Sequence, residues 1–202
     1  GILSRGVAAF GTARSFTASA RRALTGKRFA HQMRALCNWA DEPLVREALM
    51  TPPVKPGHME LALAEARLAA GRGEVPVGAV VVAPDGSVVA SAGNRTRELC
   101  DPTAHAEVLA IRAACGAMQS ERLPDHDLYV TLEPCPMCAA AISFARIRRL
   151  YYGAADPKGG GVEHGARIFS QPTCHHTPEV YPGIGEDEAS LILKSFFAER
   201  RD

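Results

Sequence analysis

The chain has 202 residues, of which 47% are hydrophobic and 22% charged, so it is long enough for one globular domain and an additional segment. The formal net charge is +1, but residues 1–58 carry nine Lys/Arg against three Asp/Glu, whereas residues 59–202 carry fourteen against nineteen. This division excludes a uniformly basic nucleic-acid binder, and any polyanion must meet a local patch of positive charge.

The chain contains no run of apolar residues long enough to predict a membrane span. Two of its six cysteines, Cys135 and Cys138, form a C-x-x-C pair of the kind that binds metals. The other four show no regular disulfide spacing, so the pattern favours a reduced, cytoplasmic protein over a secreted one.

The first 58 residues differ in character from the rest. They contain no acidic residue before Asp41, and their Arg and Lys residues alternate with small and hydroxyl residues, a composition that resembles an organelle transit peptide. Two other interpretations stay open: a partly disordered extension, or sequence upstream of a start at Met59. The Pro-rich run at 51–57 predicts a stiff linker. We therefore predict an N-terminal basic extension over residues 1–58 and a globular domain over residues 59–202.

Helices and strands alternate in the predicted globular domain. In chain order we predict a helix at 59–70, strands at 77–83 and 87–92 joined by a Pro-Asp-Gly turn, a helix at 104–118, a strand at 127–132, a helix at 136–145, a strand at 149–153 and a helix at 187–200. This alternation predicts an α/β protein built as a three-layer α/β/α sandwich.

A long Gly-, Pro- and His-rich loop precedes the last helix. Its run Gly159-Gly160-Gly161 predicts a mobile segment and not a phosphate cradle, because no Gly-Lys-Ser/Thr follows. In the last helix, Ile192, Leu193, Phe196 and Phe197 are predicted to share one face.

Residues with metal chemistry are concentrated in two motifs, Thr-Ala-His-Ala-Glu at 103–107 and Glu-Pro-Cys-Pro-Met-Cys at 133–138. Cys135 and Cys138 lie three residues apart at a predicted helix start, so their thiols share one face and the helix dipole favours the thiolate form. His105 and Glu107 would point about 200° apart inside a helix. At the opening turn, however, the imidazole can bind a metal while the carboxylate stays free.

One His and two Cys make three protein ligands, which leaves the fourth position of a tetrahedral zinc for water. Zinc lowers the pKa of that water towards about 7, so Glu107 can take its proton and pass it to a substrate. We therefore predict one catalytic zinc per chain, bound by His105, Cys135 and Cys138, with Glu107 as the proton carrier.

Two alternatives for the cysteine pair have weaker support. A thioredoxin-like redox pair expects a βαβ context and does not account for His105 and Glu107. A structural site with four ligands could recruit Cys174, His175 or His176, but it would leave Glu107 without a role.

The combination H-x-E with P-C-x-x-C is highly specific and typical of zinc-dependent nucleobase deaminases. Residues 59–201 resemble the bacterial tRNA-specific adenosine deaminases of the cytidine deaminase superfamily, whereas residues 1–58 do not. The resemblance is carried by residues 74–79, 93–95, 101–107, 129–138 and 153–156.

The resemblance implies a cytidine deaminase-like fold with a central five-stranded mixed sheet. It also implies zinc at His105, Cys135 and Cys138, and a proton shuttle at Glu107. Asn94 matches a residue that hydrogen-bonds the base, although a left-handed turn at the strand end is an alternative. Asp156 matches a position in a substrate-side loop, although Asp before Pro also suits a simple turn.

The activity implied by the resemblance is hydrolytic deamination of adenosine to inosine at the wobble position of a tRNA anticodon loop, by zinc-bound hydroxide, in a homodimer. A splayed base in a single-stranded loop can reach a buried metal, whereas a stacked base cannot. The arginines that could form a phosphate-binding rim are Arg95, Arg97, Arg146, Arg148, Arg149, Arg200 and Arg201. The alternative is that they only solvate the surface.

Two other functions stay open. The motifs also occur in deaminases of a free base or nucleoside, such as guanine or cytosine. A non-catalytic zinc subunit that binds RNA is the second alternative, and the presence of Glu107 argues against it.

Overall fold

The computed structural model describes residues 57–200, so the predicted extension lies outside the described residues except for its last two. In chain order the described elements are α1 (His58–Gly71), β1 (Gly78–Val82), β2 (Val88–Gly93), α2 (Ala106–Met118), β3 (Asp127–Leu132), α3 (Pro136–Phe144), β4 (Arg149–Ala154), a 3₁₀ turn (Ile168–Ser170), β5 (Glu179–Tyr181) and α4 (Glu186–Ala198). None of the helices within residues 57–200 has the length and apolar composition needed to cross a membrane.

The five strands form one mixed sheet in the order β2-β1-β3-β4-β5. Strand β1 is antiparallel to both β2 and β3, whereas β3, β4 and β5 are parallel to one another. The predicted hairpin is confirmed, and its turn is closed by the Ala83 N–H, which donates to the Ser87 carbonyl at 2.8 Å. The predicted five-stranded mixed sheet is therefore confirmed.

Helices cover both faces of this sheet. On one face, helix α1 packs on β1, β2 and β3, and α4 packs on β4. On the opposite face, α2 packs on β1 and β2 and contacts α3. Alternate residues of the central strands, such as Val81 and Val130, are buried with Ala110 of α2 and Ile142 of α3. The predicted three-layer sandwich is confirmed.

Helix α1 lies directly on the sheet because β1 begins with a glycine. A Cβ atom at Gly78 would lie 2.0 Å from the Ala62 carbonyl oxygen and 2.6 Å from the Ala66 nitrogen. Gly93, the last residue of β2, also packs against α1, with a Cβ position 2.7 Å from the Glu65 carbonyl oxygen. This close packing fixes the end of β2, where Asn94 follows.

Two features differ from the sequence prediction. Strand β5 lies within the predicted loop. It has three residues, which are too few to show an alternation of apolar and polar residues in the sequence. The stacked rings of Tyr151 and Tyr181, with centroids 4.8 Å apart, hold it beside β4. In α4, Phe196 is 7% exposed but Phe197 is 43% exposed. The prediction that Phe197 shares the buried face is therefore wrong, because α4 buries only a narrow stripe.

Candidate metal and active site

Two helices begin at the same place and supply the predicted metal ligands. His105 is the N-cap of α2 and Cys135 is the N-cap of α3, and both have extended backbone. The helix predicted from residue 104 thus begins at Ala106, so the backbone of His105 is free of the helical constraint that separates it from Glu107. Cys138 lies in the first turn of α3 and is buried.

The three predicted ligand side chains meet at one point. His105 Nδ1 lies 3.7 Å from Cys135 Sγ and 3.5 Å from Cys138 Sγ, and the three ligand atoms all lie within 4.8 Å of one another. Tetrahedral zinc with ordinary Zn–N and Zn–S bonds requires an N···S separation of about 3.6 Å. The cluster therefore fits one zinc ion per chain, and among residues 57–200 it is the only such group of three.

The two thiols share a proton in a way that suits metal binding. The hydrogen bond from the Cys138 thiol holds the pKa of Cys135 well below its usual range, and the same contact raises the pKa of Cys138. Both sulfurs also lie at the N-terminus of α3, where the helix dipole stabilises negative charge. Cysteine binds a metal as thiolate, so zinc binding requires that both sulfurs be deprotonated.

Glu107 lies beside the ligands without joining them. It is the second residue of α2 and is 3% exposed. Burial raises the pKa of its carboxyl, and the neighbouring Cys135 thiolate adds to the increase. A carboxyl with a raised pKa next to a metal site is suited to accept a proton and release it again.

Asn94 has a structural role at the same helix start. It is 6% exposed, and its Oδ1 accepts a hydrogen bond from the Ala106 N–H at 2.8 Å. This bond satisfies the first free N–H of α2, between His105 and Glu107. The alternative of a left-handed turn is wrong, because Asn94 is not among the described residues with positive φ.

A buried carboxylate that the motif analysis did not single out holds the loop after Asn94. Glu74 is 1% exposed and accepts hydrogen bonds from the N–H groups of Arg97 and Glu98, both at 2.9 Å, and from the Thr96 hydroxyl. Its signals in the sequence are its place at the start of the 74–79 segment that carries the resemblance, and an ionisable side chain shortly before the apolar strand β1.

A second buried carboxylate, Glu133, organises residues 156–164, which we call the 156–164 loop. Its side chain is 0% exposed. It accepts hydrogen bonds from four backbone N–H groups and from the imidazole of His164 at 2.7 Å; the four belong to Asp156, Val162, Glu163 and His164. Within the predicted mobile segment, Gly160 and Gly161 are buried against Glu133 and the Cys135–Pro136 backbone, whereas Gly159 is exposed.

Asp156 forms the turn that begins this loop. Its Oδ1 accepts hydrogen bonds from the N–H groups of Lys158 at 3.1 Å and Gly159 at 2.9 Å. Its own N–H donates to Glu133. The turn role left open by the sequence is thus present, and the substrate role stays a prediction.

The late-loop residues that could have completed a four-ligand site lie elsewhere. Cys174 Sγ is 3.4 Å from the hydroxyl of Ser143, near the end of α3, and His176 Nε2 is 2.6 Å from the Ile147 carbonyl oxygen. The metal ligands Cys135 and Cys138 lie towards the start of α3, about 12 Å and about 8 Å from Ser143 along the helix axis. The alternative of a structural zinc site is therefore wrong.

The predicted rim of arginines is divided between two places. Arg95 and Arg97 follow Asn94 beside the site, where Arg95 pairs with Glu98 at 2.6 Å. Arg148 and Arg149 follow the far end of α3 and are paired at 2.9 Å with carboxylates of β3 and β5. Arg201 lies outside the described residues, and phosphate binding by these arginines stays a prediction.

Comparison with known proteins identifies the class that the fold and site define. Residues 55–154 match the family model described as the cytidine and deoxycytidylate deaminase zinc-binding region. A guanine deaminase from Nitrosomonas europaea has the same fold, with a TM-score of 0.58 at 23% identity over 77% of this chain and 93% of that one. The chain is a zinc-dependent deaminase.

More similar relatives identify the family within that class. The tRNA-specific adenosine deaminase of Agrobacterium fabrum is 69% identical over 143 residues, which cover 71% of this chain and 93% of that protein. The corresponding enzyme of Rickettsia bellii is 46% identical over 71% of this chain and its own full length. A solved tRNA:A34 deaminase matches with a TM-score of 0.66 and 70% identity, over 67% of this chain and 98% of that one. The chain belongs to the tRNA-specific adenosine deaminase family.

Proposed function

We propose that this chain converts adenosine to inosine at the wobble position of a tRNA anticodon loop. His105, Cys135 and Cys138 hold the zinc ion, and Glu107 carries the proton. The observation that carries the proposal is the meeting of these three ligand atoms beside a buried carboxyl with a raised pKa. The substrate rests on the high identity to tRNA-specific adenosine deaminases.

Zinc at this site supplies a Lewis acid that brings the pKa of a water molecule near neutrality. The Glu107 carboxylate takes a proton from the attacking water and delivers it to ring nitrogen N1 of the adenine. Glu107 then takes the second proton of the same oxygen, once that oxygen is bonded to C6, and delivers it to the exocyclic amine. The new bond joins the water oxygen to C6, the bond from C6 to the amine breaks, and ammonia leaves.

Two residues hold the base in this proposal. Asn94 donates a hydrogen bond from its amide nitrogen, since its oxygen is already used by the Ala106 N–H. Asp156, the first residue of the 156–164 loop, is the second residue proposed to bind the substrate. The base enters from a single-stranded loop, because unstacking a paired base costs free energy that an anticodon loop does not require.

The substrate is tested by offering the purified chain an anticodon stem-loop with a wobble adenosine. Free guanine, cytosine and adenosine are assayed in parallel. We expect inosine in the stem-loop, measured by mass spectrometry of the digested nucleosides. Deamination of guanine alone contradicts the proposed substrate and supports a free-base deaminase.

The proton role is tested with Glu107→Gln, which keeps the shape of the side chain but cannot exchange the proton. We expect turnover to fall by about 10²–10⁴-fold, while zinc content stays at one ion per chain. The matched control is Glu121→Gln, because the Glu121 side chain is 84% exposed. Equal turnover in the two variants contradicts the proton role.

The proposal includes a cytoplasmic homodimer. Exposed apolar side chains at the ends of neighbouring helices support the dimer: Phe144 of α3 is 70% exposed and Met118 of α2 is 49% exposed. We expect sedimentation equilibrium to give twice the chain mass and Phe144→Asp to lower it. A monomeric wild-type chain contradicts the dimer. The similarity to tRNA-specific adenosine deaminases supports the compartment.

The 1–58 extension remains a predicted appendage, dispensable for the chemistry. Removing residues 1–56 leaves all the described residues in place. We expect the shortened chain to keep its zinc and its turnover on the stem-loop. Loss of turnover with zinc retained would show that the extension takes part in the reaction.

A further inference from the structure

The Glu133 carboxylate lies buried beside the metal site, and no Lys or Arg of the described residues forms an ion pair with it. Among residues 57–200 its hydrogen-bond partners are backbone N–H groups and the half-buried imidazole of His164. A buried carboxylate is costly unless its charge is hydrogen-bonded. All of its partners belong to the 156–164 loop, so the charge is stabilised only when that loop is folded against it.

The same loop rests on the backbone that presents Cys135. The Gly161 N–H donates to the Pro134 carbonyl at 2.8 Å. A Cβ atom at Gly161 would lie 2.5 Å from the Pro136 nitrogen and 2.8 Å from the Cys135 carbonyl carbon. The loop is therefore in direct contact with the peptide that joins the thiolate residue to the first turn of α3.

At its other end, Glu133 is attached to the sheet. Its N–H donates to the Ala154 carbonyl at 2.8 Å, which continues the pairing of β3 with β4. One residue thus links three parts of the site: the end of the sheet, the segment that carries Cys135, and the loop that begins at Asp156.

We propose that Glu133 is a positioning residue of the metal site, which anchors the 156–164 loop on the Cys135–Pro136 backbone and so fixes the direction of the Cys135 thiolate. The proposal rests on the zinc ligands of the proposed function but not on its RNA substrate. Replacing a residue that orients a metal ligand without binding the metal itself commonly changes the metal affinity.

The carboxylate is required because both of its oxygens accept hydrogen bonds. One oxygen receives the N–H groups of Val162, Glu163 and His164, and the other receives the Asp156 N–H and the His164 imidazole. Glutamine replaces one acceptor by an NH₂ donor. In Glu133→Gln the new NH₂ group therefore faces a hydrogen-bond donor of the loop, and the hydrogen bonding at that oxygen position is lost.

The test measures metal binding by the full chain in wild type, Glu133→Gln and Gly161→Ala. Gly161→Ala displaces the loop without altering the carboxylate. We expect both variants to lose zinc affinity by about 10–100-fold in chelator competition. In the cobalt-substituted chain we expect the thiolate-to-metal and d–d absorption bands to shift. The matched control Glu121→Gln should keep the wild-type affinity and spectrum.

An unchanged affinity and spectrum in both variants overturns the proposal, even if their melting temperatures fall, because that result describes a residue that only stabilises the fold. If either variant does not fold, His164→Ala takes its place, since it removes one of five hydrogen bonds and leaves the backbone contacts. Unchanged cobalt bands there overturn the proposal as well. Cys135→Ser separates the two proposals: full zinc affinity in that variant contradicts the ligand set itself.

Discussion

Asn94 offers a way to separate a structural role from a substrate role at one side chain. Its Oδ1 accepts the Ala106 N–H at 2.8 Å, and Asn94 is 6% exposed. Asn94→Ala leaves that N–H buried without a partner, which costs about 1–3 kcal/mol, and the loss of a helix cap has a similar magnitude. At about 2 kcal/mol, the melting temperature of a domain of this size falls by about 4–8 °C.

Asn94→Asp keeps an oxygen that can accept the Ala106 N–H, and the positive end of the α2 dipole favours its charge. It removes the amide donor that is proposed to reach the base. We therefore expect Asn94→Asp to melt closer to the wild type than Asn94→Ala does, while turnover on the stem-loop is low in both variants.

Both variants are assayed as zinc-loaded chains, with melting followed by calorimetry and zinc content measured for each sample. Glu121→Gln serves as the surface control. If Asn94→Ala has the same melting temperature as the wild type, the hydrogen bond to Ala106 does not stabilise the start of α2. If Asn94→Asp turns over at the wild-type rate, the amide donor is not needed for substrate binding.

Three further predictions concern packing, pH and metal. Gly78→Ala forces a methyl group against the Ala62 carbonyl and should destabilise the domain by about 1–3 kcal/mol. Its control is Gly116→Ala, which has open space around it and should stabilise α2 by about 0.5–1 kcal/mol. Equal melting temperatures of the two variants would contradict the close packing of α1. Burial alone would raise the pKa of Glu74, but hydrogen bonds from loop N–H and hydroxyl groups outweigh it and lower the pKa. Its contribution to stability is thus present above the unfolded-state pKa of about 4.3 and is lost as pH falls through the folded value. Denaturant titrations at several pH values should show that the free energy of unfolding falls less steeply with decreasing pH in Glu74→Gln than in the wild type. Equal slopes in the two proteins would contradict this. Removing zinc with a chelator should lower the melting temperature and abolish turnover, with both restored by added zinc; turnover in the zinc-free chain would contradict a catalytic metal.

The local chemistry of the site could be predicted from sequence because it depends on short spacings. Pro136 opens a helix, which places Cys135 at the N-cap and Cys138 in the first turn. The hairpin of β1 and β2 follows in the same way from its Pro-Asp-Gly turn. His105 and Glu107 could both serve the site only at a helix start, and that is where the structure has them.

The roles of the two buried carboxylates could not be predicted, because most of their partners are backbone N–H groups, which carry no residue identity. Glu133 reaches groups 23 to 31 residues away, and Glu74 reaches groups 22 to 24 residues away. The sequence by itself determined which side chains can bind zinc and move a proton. The tertiary structure decided which loops pack around them. It also decided that Gly160 and Gly161 are buried, because a glycine in a sequence shows which backbone conformations are allowed there and not which atoms lie against it.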